Sequence, residues 1–159
     1  MSVEAIKETR EAHVAALNNG DVAAWVGAFA NDGVQMPPNA PANVGRDSIQ
    51  AWSGGMLGAF DVEFSLAPDE VEVASADWAF ERGAFEISLT PKGSGEPIHD
   101  AGKYITVYQR QPDGRWAMAG TSGTATTRCP ACPIRAHWAA NRSRFARLGA
   151  LRHLAVAFL

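Results

Sequence analysis

Phe29-Ala30-Asn31-Asp32-Gly33-Val34-Gln35-Met36-Pro37-Pro38-Asn39-Ala40-Pro41-Ala42-Asn43-Val44-Gly45-Arg46 decides the layout of this chain. The first residues read as the last turn of a helix, broken at Asn31-Asp32-Gly33 and extended through Val34-Gln35-Met36. Pro37, Pro38 and Pro41 then fix φ and hold their predecessors extended, which predicts a stiff sheet edge rather than a helix or a central strand. Gly45-Arg46-Asp47 opens the next helix. Helices therefore flank a short rigid edge, a layout that folds them over a curved sheet if the rest of the chain supplies one.

Upstream, Val3, Ile6, Arg10, His13, Val14 and Leu17 share one face of a helix over residues 3–18. Asn18-Asn19-Gly20 ends it, and Asp21 caps a second helix over 21–30 with Val22, Trp25, Val26 and Phe29 inward. Downstream, Asp47 to Phe60 makes a third helix, in which Gly54-Gly55 either weakens the element or allows a close crossing. From Asp61 the period becomes alternating. It gives a strand through Val73 interrupted at Pro68, a second from Trp78 to Leu89, a third from Ile98 to Arg110 and a fourth from Trp116 after the Pro112-Asp113-Gly114 turn. Helices first and long strands afterwards is an α+β order.

The 159 residues suit one domain with a full core, and 47% apolar with 19% charged content is that of an ordinary globule. No apolar run reaches membrane-spanning length and the N-terminus lacks a signal-peptide pattern, which predicts a cytoplasmic protein. The net charge of −3 conceals a split. Residues 1–120 carry 8 Lys+Arg against all 17 Asp+Glu, whereas 121–159 carry 6 Arg and no acid.

The element order, with Val14-Ala15-Ala16-Leu17-Asn18, Gly20-Asp21, Phe29-Ala30, Asp32, Gly45, Gly102-Lys103-Tyr104 and Asp113-Gly114-Arg115-Trp116, resembles the NTF2-like superfamily. More narrowly it is similar to the SnoaL-like and ketosteroid-isomerase-like proteins, over roughly residues 3–118. The resemblance implies a cone-shaped α+β barrel: three N-terminal helices on a curved antiparallel sheet, enclosing a pocket and pairing through the sheet as a homodimer. That fold hosts isomerases, hydrolases, cyclases and plain binding domains, so it leaves function open. In the ketosteroid isomerases a tyrosine donor occupies the position of His13 here, and the general-base aspartate occupies the position of Pro37. A steroid-type proton shuttle therefore lacks its base.

The resemblance stops at the last strand. Relatives close on a string close to Trp-x-x-x-Arg-Asp-Ile-Trp-Asn-Ser-Asp. Read with a two-base shift and free choice of synonymous codons, Ala119 to Thr126 can encode Arg-Asp-Ile-Trp-Asn-Ser-Asp. The hypothesis that follows is a gene frameshifted near Met118 relative to its relatives, and the expected domain boundary sets 1–126 as the barrel and 127–159 as a basic, Arg/Ala-rich extension.

His13 is either a proton donor or acceptor in the cavity or a buried histidine bonded to a strand. Asp100 and Lys103 form an acid/base pair or an exposed ion pair at the strand mouth. Trp25, Trp52, Met36, Phe60 and Tyr104 line an apolar pocket or simply build the core, with Gln35 and Tyr104 as polar anchors. Cys129-Pro130-Ala131-Cys132 has redox or half-zinc spacing, but His137 and His153 fall at no recognisable finger spacing. The tail is a basic helix for an acidic surface, membrane or RNA, or an incidental self-packing extension. Gly120-Thr121-Ser122-Gly123 is no nucleophile elbow, and there is no phosphate loop, HExxH or nucleic-acid motif. Two classes remain. One is a cofactor-independent isomerase or hydrolase of a small apolar substrate, with His13 and Asp100 as acid and base. The other is a non-catalytic ligand-binding or scaffold domain.

Overall fold

The structure, a computed structural model, describes residues 2–125. The cysteine pair and the basic tail lie outside the described residues. Helix α1 (Ser2–Asn18) ends where Gly20 takes φ 69°, and the amides of Asn19, Gly20 and Asp21 return to carbonyls of its last turn. Asp21 caps α2 (Val22–Gly27) by accepting from the Ala24 amide at 2.9 Å.

Here the opening stretch departs from its sequence reading. The pattern predicts helix through Ala30, yet α2 stops at Gly27 and β1 (Phe29–Met36) is already extended. The cause is tertiary. The Met118 amide bonds the Ala28 carbonyl at 2.9 Å, and Phe29 registers opposite Met118. Nor is β1 an edge. The prolines follow it rather than interrupt it, and β2 (Asn43–Val44) folds back to pair along its outer side.

Helix α3 (Arg46–Ala59) covers this junction, with the Arg46 guanidinium donating to the Phe29 carbonyl. Four long strands follow: β3 (Phe60–Val73), β4 (Trp78–Pro91), β5 (Ile98–Arg110) and β6 (Trp116–Ala125). The sheet order is β2-β1-β6-β5-β4-β3, antiparallel except where β1 runs parallel to β6. The result is an open, curved α+β sheet under three helices, the cone-shaped barrel architecture expected.

Pro68 shifts the register of β3 without ending it, because β3 is an edge strand and needs no outward N–H there. Gly83 stands opposite Pro68; a Cβ on it would lie 2.2 Å from the Ala67 carbonyl oxygen, so only glycine permits this approach. The outer side of β3 is held by α1. The Asn18 side chain donates to the Phe64 carbonyl at 3.0 Å and accepts from the Phe64 amide at 2.7 Å, replacing a missing strand neighbour. Thr9 ties the middle of α1 to the sheet by donating to the Trp116 carbonyl at 2.8 Å.

Candidate functional site

Alternation along each strand sorts side chains between the face under the helices and the outer face. On β4 and β5 the buried positions Ala79, Glu81 and Phe85, and Tyr104, Thr106 and Tyr108, point inward. Opposite them α1 presents Arg10 and His13.

An aromatic wall crosses this inner side. His13 stacks on Trp25 with ring centroids 3.5 Å apart and meets the edge of Phe29 at 5.6 Å. Trp25 continues to Phe64 at 6.5 Å, and Phe64 to Phe85 at 6.4 Å. Burial among these rings pulls the His13 imidazolium down to a pKa of about 3, so the ring is neutral at physiological pH. Among the described residues three buried nitrogens, His13 Nδ1, Trp25 Nε1 and Trp52 Nε1, have no hydrogen-bond partner. Such orphans cost on the order of 1–3 kcal/mol each, a deficit that a ligand or water can offset.

A charged cluster lies beside the wall. Glu81 is sealed from solvent, accepts from the Arg10 guanidinium on one oxygen and from the Tyr104 hydroxyl at 2.7 Å on the other. Burial pushes the Tyr104 and Tyr108 hydroxyls far above the ordinary phenol range, and the Glu81 carboxylate adds to both shifts.

The candidate residues are thereby separated. His13 and Trp25 are brought together. Gln35 and Tyr104 are buried and inward-facing, and Phe60 and Trp52 are buried at 8% exposure each. Asp100 sits farther along β5, opposite Ile87 and in line with Phe64, at an open groove of about 710 Å³. Asn18, Val62, Phe64, Ile87 and His99 bound the same groove. Met36 and Lys103 alternate with Gln35 and Tyr104 and so lie on the outer face. Met36 is 43% exposed there, and neither residue belongs to the inner wall.

Sequence reasoning missed Arg10 and Glu81. Their signal was present: an arginine within the apolar stripe of α1, and a glutamate among the inward positions of β4. Among the described residues no group of three or more His, Cys, Asp or Glu is placed to hold a metal ion. No described helix is long and apolar enough to cross a membrane.

A model of the SnoaL-like domain matches residues 11–119. No curated protein matches the chain. Among solved structures, a ketosteroid isomerase-like protein from Erwinia carotovora atroseptica is 27% identical with a TM-score of 0.72, covering 78% of this chain and 95% of the other. An NTF2-like superfamily protein from Salmonella enterica is 16% identical, with a TM-score of 0.69 and coverage of 78% and 90%. A hexachlorocyclohexane dehydrochlorinase is 16% identical, with a TM-score of 0.71 and coverage of 79% and 86%. The last two likenesses concern the fold alone.

Proposed function

Because the chain belongs to the SnoaL-like domain family, we propose that it is a small-molecule pocket protein whose inner face takes an apolar, ring-bearing ligand. The observation that carries this reading is the aromatic wall His13–Trp25–Phe64–Phe85, with unpartnered nitrogens on its first two rings. In the catalytic form of the proposal the reaction is an isomerase- or hydrolase-like proton transfer without a cofactor. Asp100, at the groove, takes and returns the proton, and neutral His13 hydrogen-bonds the substrate. The dehydrochlorinase neighbour supplies precedent for an enzyme on this fold.

One observation favours the second reading, a non-catalytic binding domain. With a conjugate-acid pKa of about 3, His13 holds no extra proton to exchange at neutral pH, so Asp100 has no acid/base partner in it and would have to carry the proton transfer alone. Pro37, where ketosteroid isomerases carry their base, supplies none either.

Two measurements decide between the forms. Thermal shift with tetralin and 2-tetralone reads binding; a probe at a hundredfold excess over its Kd stabilises the fold by about 2.7 kcal/mol. Exchange of the α-protons of 2-tetralone into deuterated water, followed by NMR, reads enolisation. Exchange lost in Asp100→Asn supports the enzyme, and binding without exchange supports the binding domain. Absence of stabilisation by either probe overturns both.

We also propose a homodimer through the outer sheet face. Val44, Val34, Val107 and Phe80 share one cross-strand row there, and Met36 and Ile105 lie in the next. Val44 and Ile105 are 66% and 46% exposed, an apolar patch that a second copy would cover. Ile105→Glu should convert a dimer to a monomer in light scattering; a wild-type monomer refutes the proposal.

A further inference from the structure

Five neighbouring strands each place one polar side chain at the same register on the inner face. Asn43 stands opposite Gln35, Gln35 opposite Thr121, Thr121 opposite Thr106, and Thr106 opposite Glu81. The row runs from β2 to β4 without an apolar member. Four of the five are buried: Asn43 at 6%, Gln35 at 5%, Thr106 at 4% and Glu81 at 0% exposure, with Thr121 half-buried. A sheet that packs helices has no structural need of such a stripe, since every polar group sealed there must find a partner or cost stability.

The partners found within the row satisfy only part of it. The Asn43 amide donates to Gln35 Oε1 at 3.2 Å. The hydroxyls of Thr106 and Thr121 lie 3.0 Å apart, and either can be the donor. Two hydroxyls carry two protons and their mutual bond uses one, so the pair keeps a donor and spare lone pairs for a third group. The single charge in the row is already compensated, because Glu81 accepts from Arg10 and Tyr104. The stripe is therefore polar and net neutral.

We propose that the row Asn43–Gln35–Thr121–Thr106–Glu81 is a recognition edge for an uncharged ligand that carries hydroxyl or carbonyl oxygen, with the Thr106–Thr121 pair as its specificity-determining contact. The inference rests on the pocket reading above and adds to it the polar half of the ligand. Apolar ring surface lies against the aromatic wall and oxygen lies along the row. A carboxylate or ammonium group is rejected, since the one charge among the row's residues, Glu81, is already compensated by Arg10. Thr121 lies just past residues 11–119, the segment that the family model matches.

The test uses the full chain and three probes of one shape: tetralin, 2-tetralol and tetralin-2-carboxylate. Calorimetry on wild type should give 2-tetralol at least tenfold tighter than tetralin, with the carboxylate weakest. Thr106→Val keeps the volume and β-branching but removes one hydroxyl, and should bring the tetralol preference to within about twofold of unity. Lys103→Gln, on the outer face of the same strand, serves as a control and should retain the preference. A Thr106→Val protein that is folded by circular dichroism and keeps the tenfold preference overturns the proposal, as does tightest binding of the carboxylate. Equal binding of tetralin and 2-tetralol by wild type also overturns it while leaving the pocket reading standing. Absence of binding by all three removes both.

Discussion

Arg10 and Glu81, 71 residues apart in sequence, meet in an ion pair whose carboxylate has no solvent exposure and whose guanidinium side chain has 12%. The pair joins the first helix to the middle of the sheet, and Tyr104 completes it from the next strand. Burying both charges is expensive, and the geometry offsets that cost only while each partner is present.

Arg10→Met should therefore destabilise the protein by about 3–5 kcal/mol, because it leaves a buried carboxylate uncompensated. Arg10→Met combined with Glu81→Gln removes the stranded charge yet keeps an acceptor for the Tyr104 hydroxyl. The double variant should be more stable than Arg10→Met alone. Urea unfolding of the four proteins in this cycle measures the coupling, and strictly additive losses would show that the two residues act independently.

Tyr104 and Tyr108 are the two tyrosines of the sequence, and both are buried. Their hydroxyl pKa values are raised by burial first and by Glu81 second. The folded state thus holds both protons at pH values where the unfolded chain releases them, near 10. Stability should fall as pH rises above about 10. Absorbance at 295 nm should show no tyrosinate in the native protein at about pH 10.5, whereas the urea-unfolded chain should titrate with a midpoint near 10. Ionisation of folded protein at the ordinary midpoint would contradict the buried placement.

His13 carries the opposite linkage. Burial lowers its pKa from 6.5 to about 3, so below about pH 6.5 the unfolded chain binds a proton that the folded one refuses. The stabilisation is complete above that point and is lost as pH falls toward 3, at a limiting slope of about 1.4 kcal/mol per pH unit. Urea unfolding at pH 7, 6, 5 and 4 should show His13→Phe losing less stability with acid than wild type. Parallel pH profiles would place His13 in contact with solvent.

The glycines of α3 and β4 should respond in opposite senses. A Cβ at Gly54 or Gly55 would meet nothing within 4 Å, so the pair marks no close crossing. Replacing either by Ala should raise stability by about 0.5–1 kcal/mol through helix propensity. Gly83→Ala drives a Cβ into the Ala67 carbonyl and should lower the thermal midpoint markedly. A neutral Gly83→Ala would mean that β3 and β4 separate easily at Pro68.

The α1 helix, the third helix and the four long strands were legible in sequence because each is set by a local period: 3.6 in the helices, two in the strands. Elements of that kind need no distant partner to be recognised. Val62 and Phe64 alternate with Asp61, Glu63 and Ser65, and they duly face the helices. The family resemblance added the order in which these pieces close over one another.

Residues 28–30 were not legible, because a strand paired in parallel to β6 competes there with local helical spacing and wins through the bond and register to Met118. The candidate site failed to emerge for the same reason. Arg10, Glu81 and Tyr104 look unrelated in sequence, and only the register of β4 on β5 and the seating of α1 bring their side chains within reach. His13 and Trp25 were visible as individual candidates, but their stacking, and the loss of basicity that follows, depends on how α2 docks against α1. Period and turn chemistry are properties of neighbours along the chain and so belong to the sequence. Burial, charge compensation and the five-strand polar row are properties of neighbours in space, and the tertiary structure alone decides them.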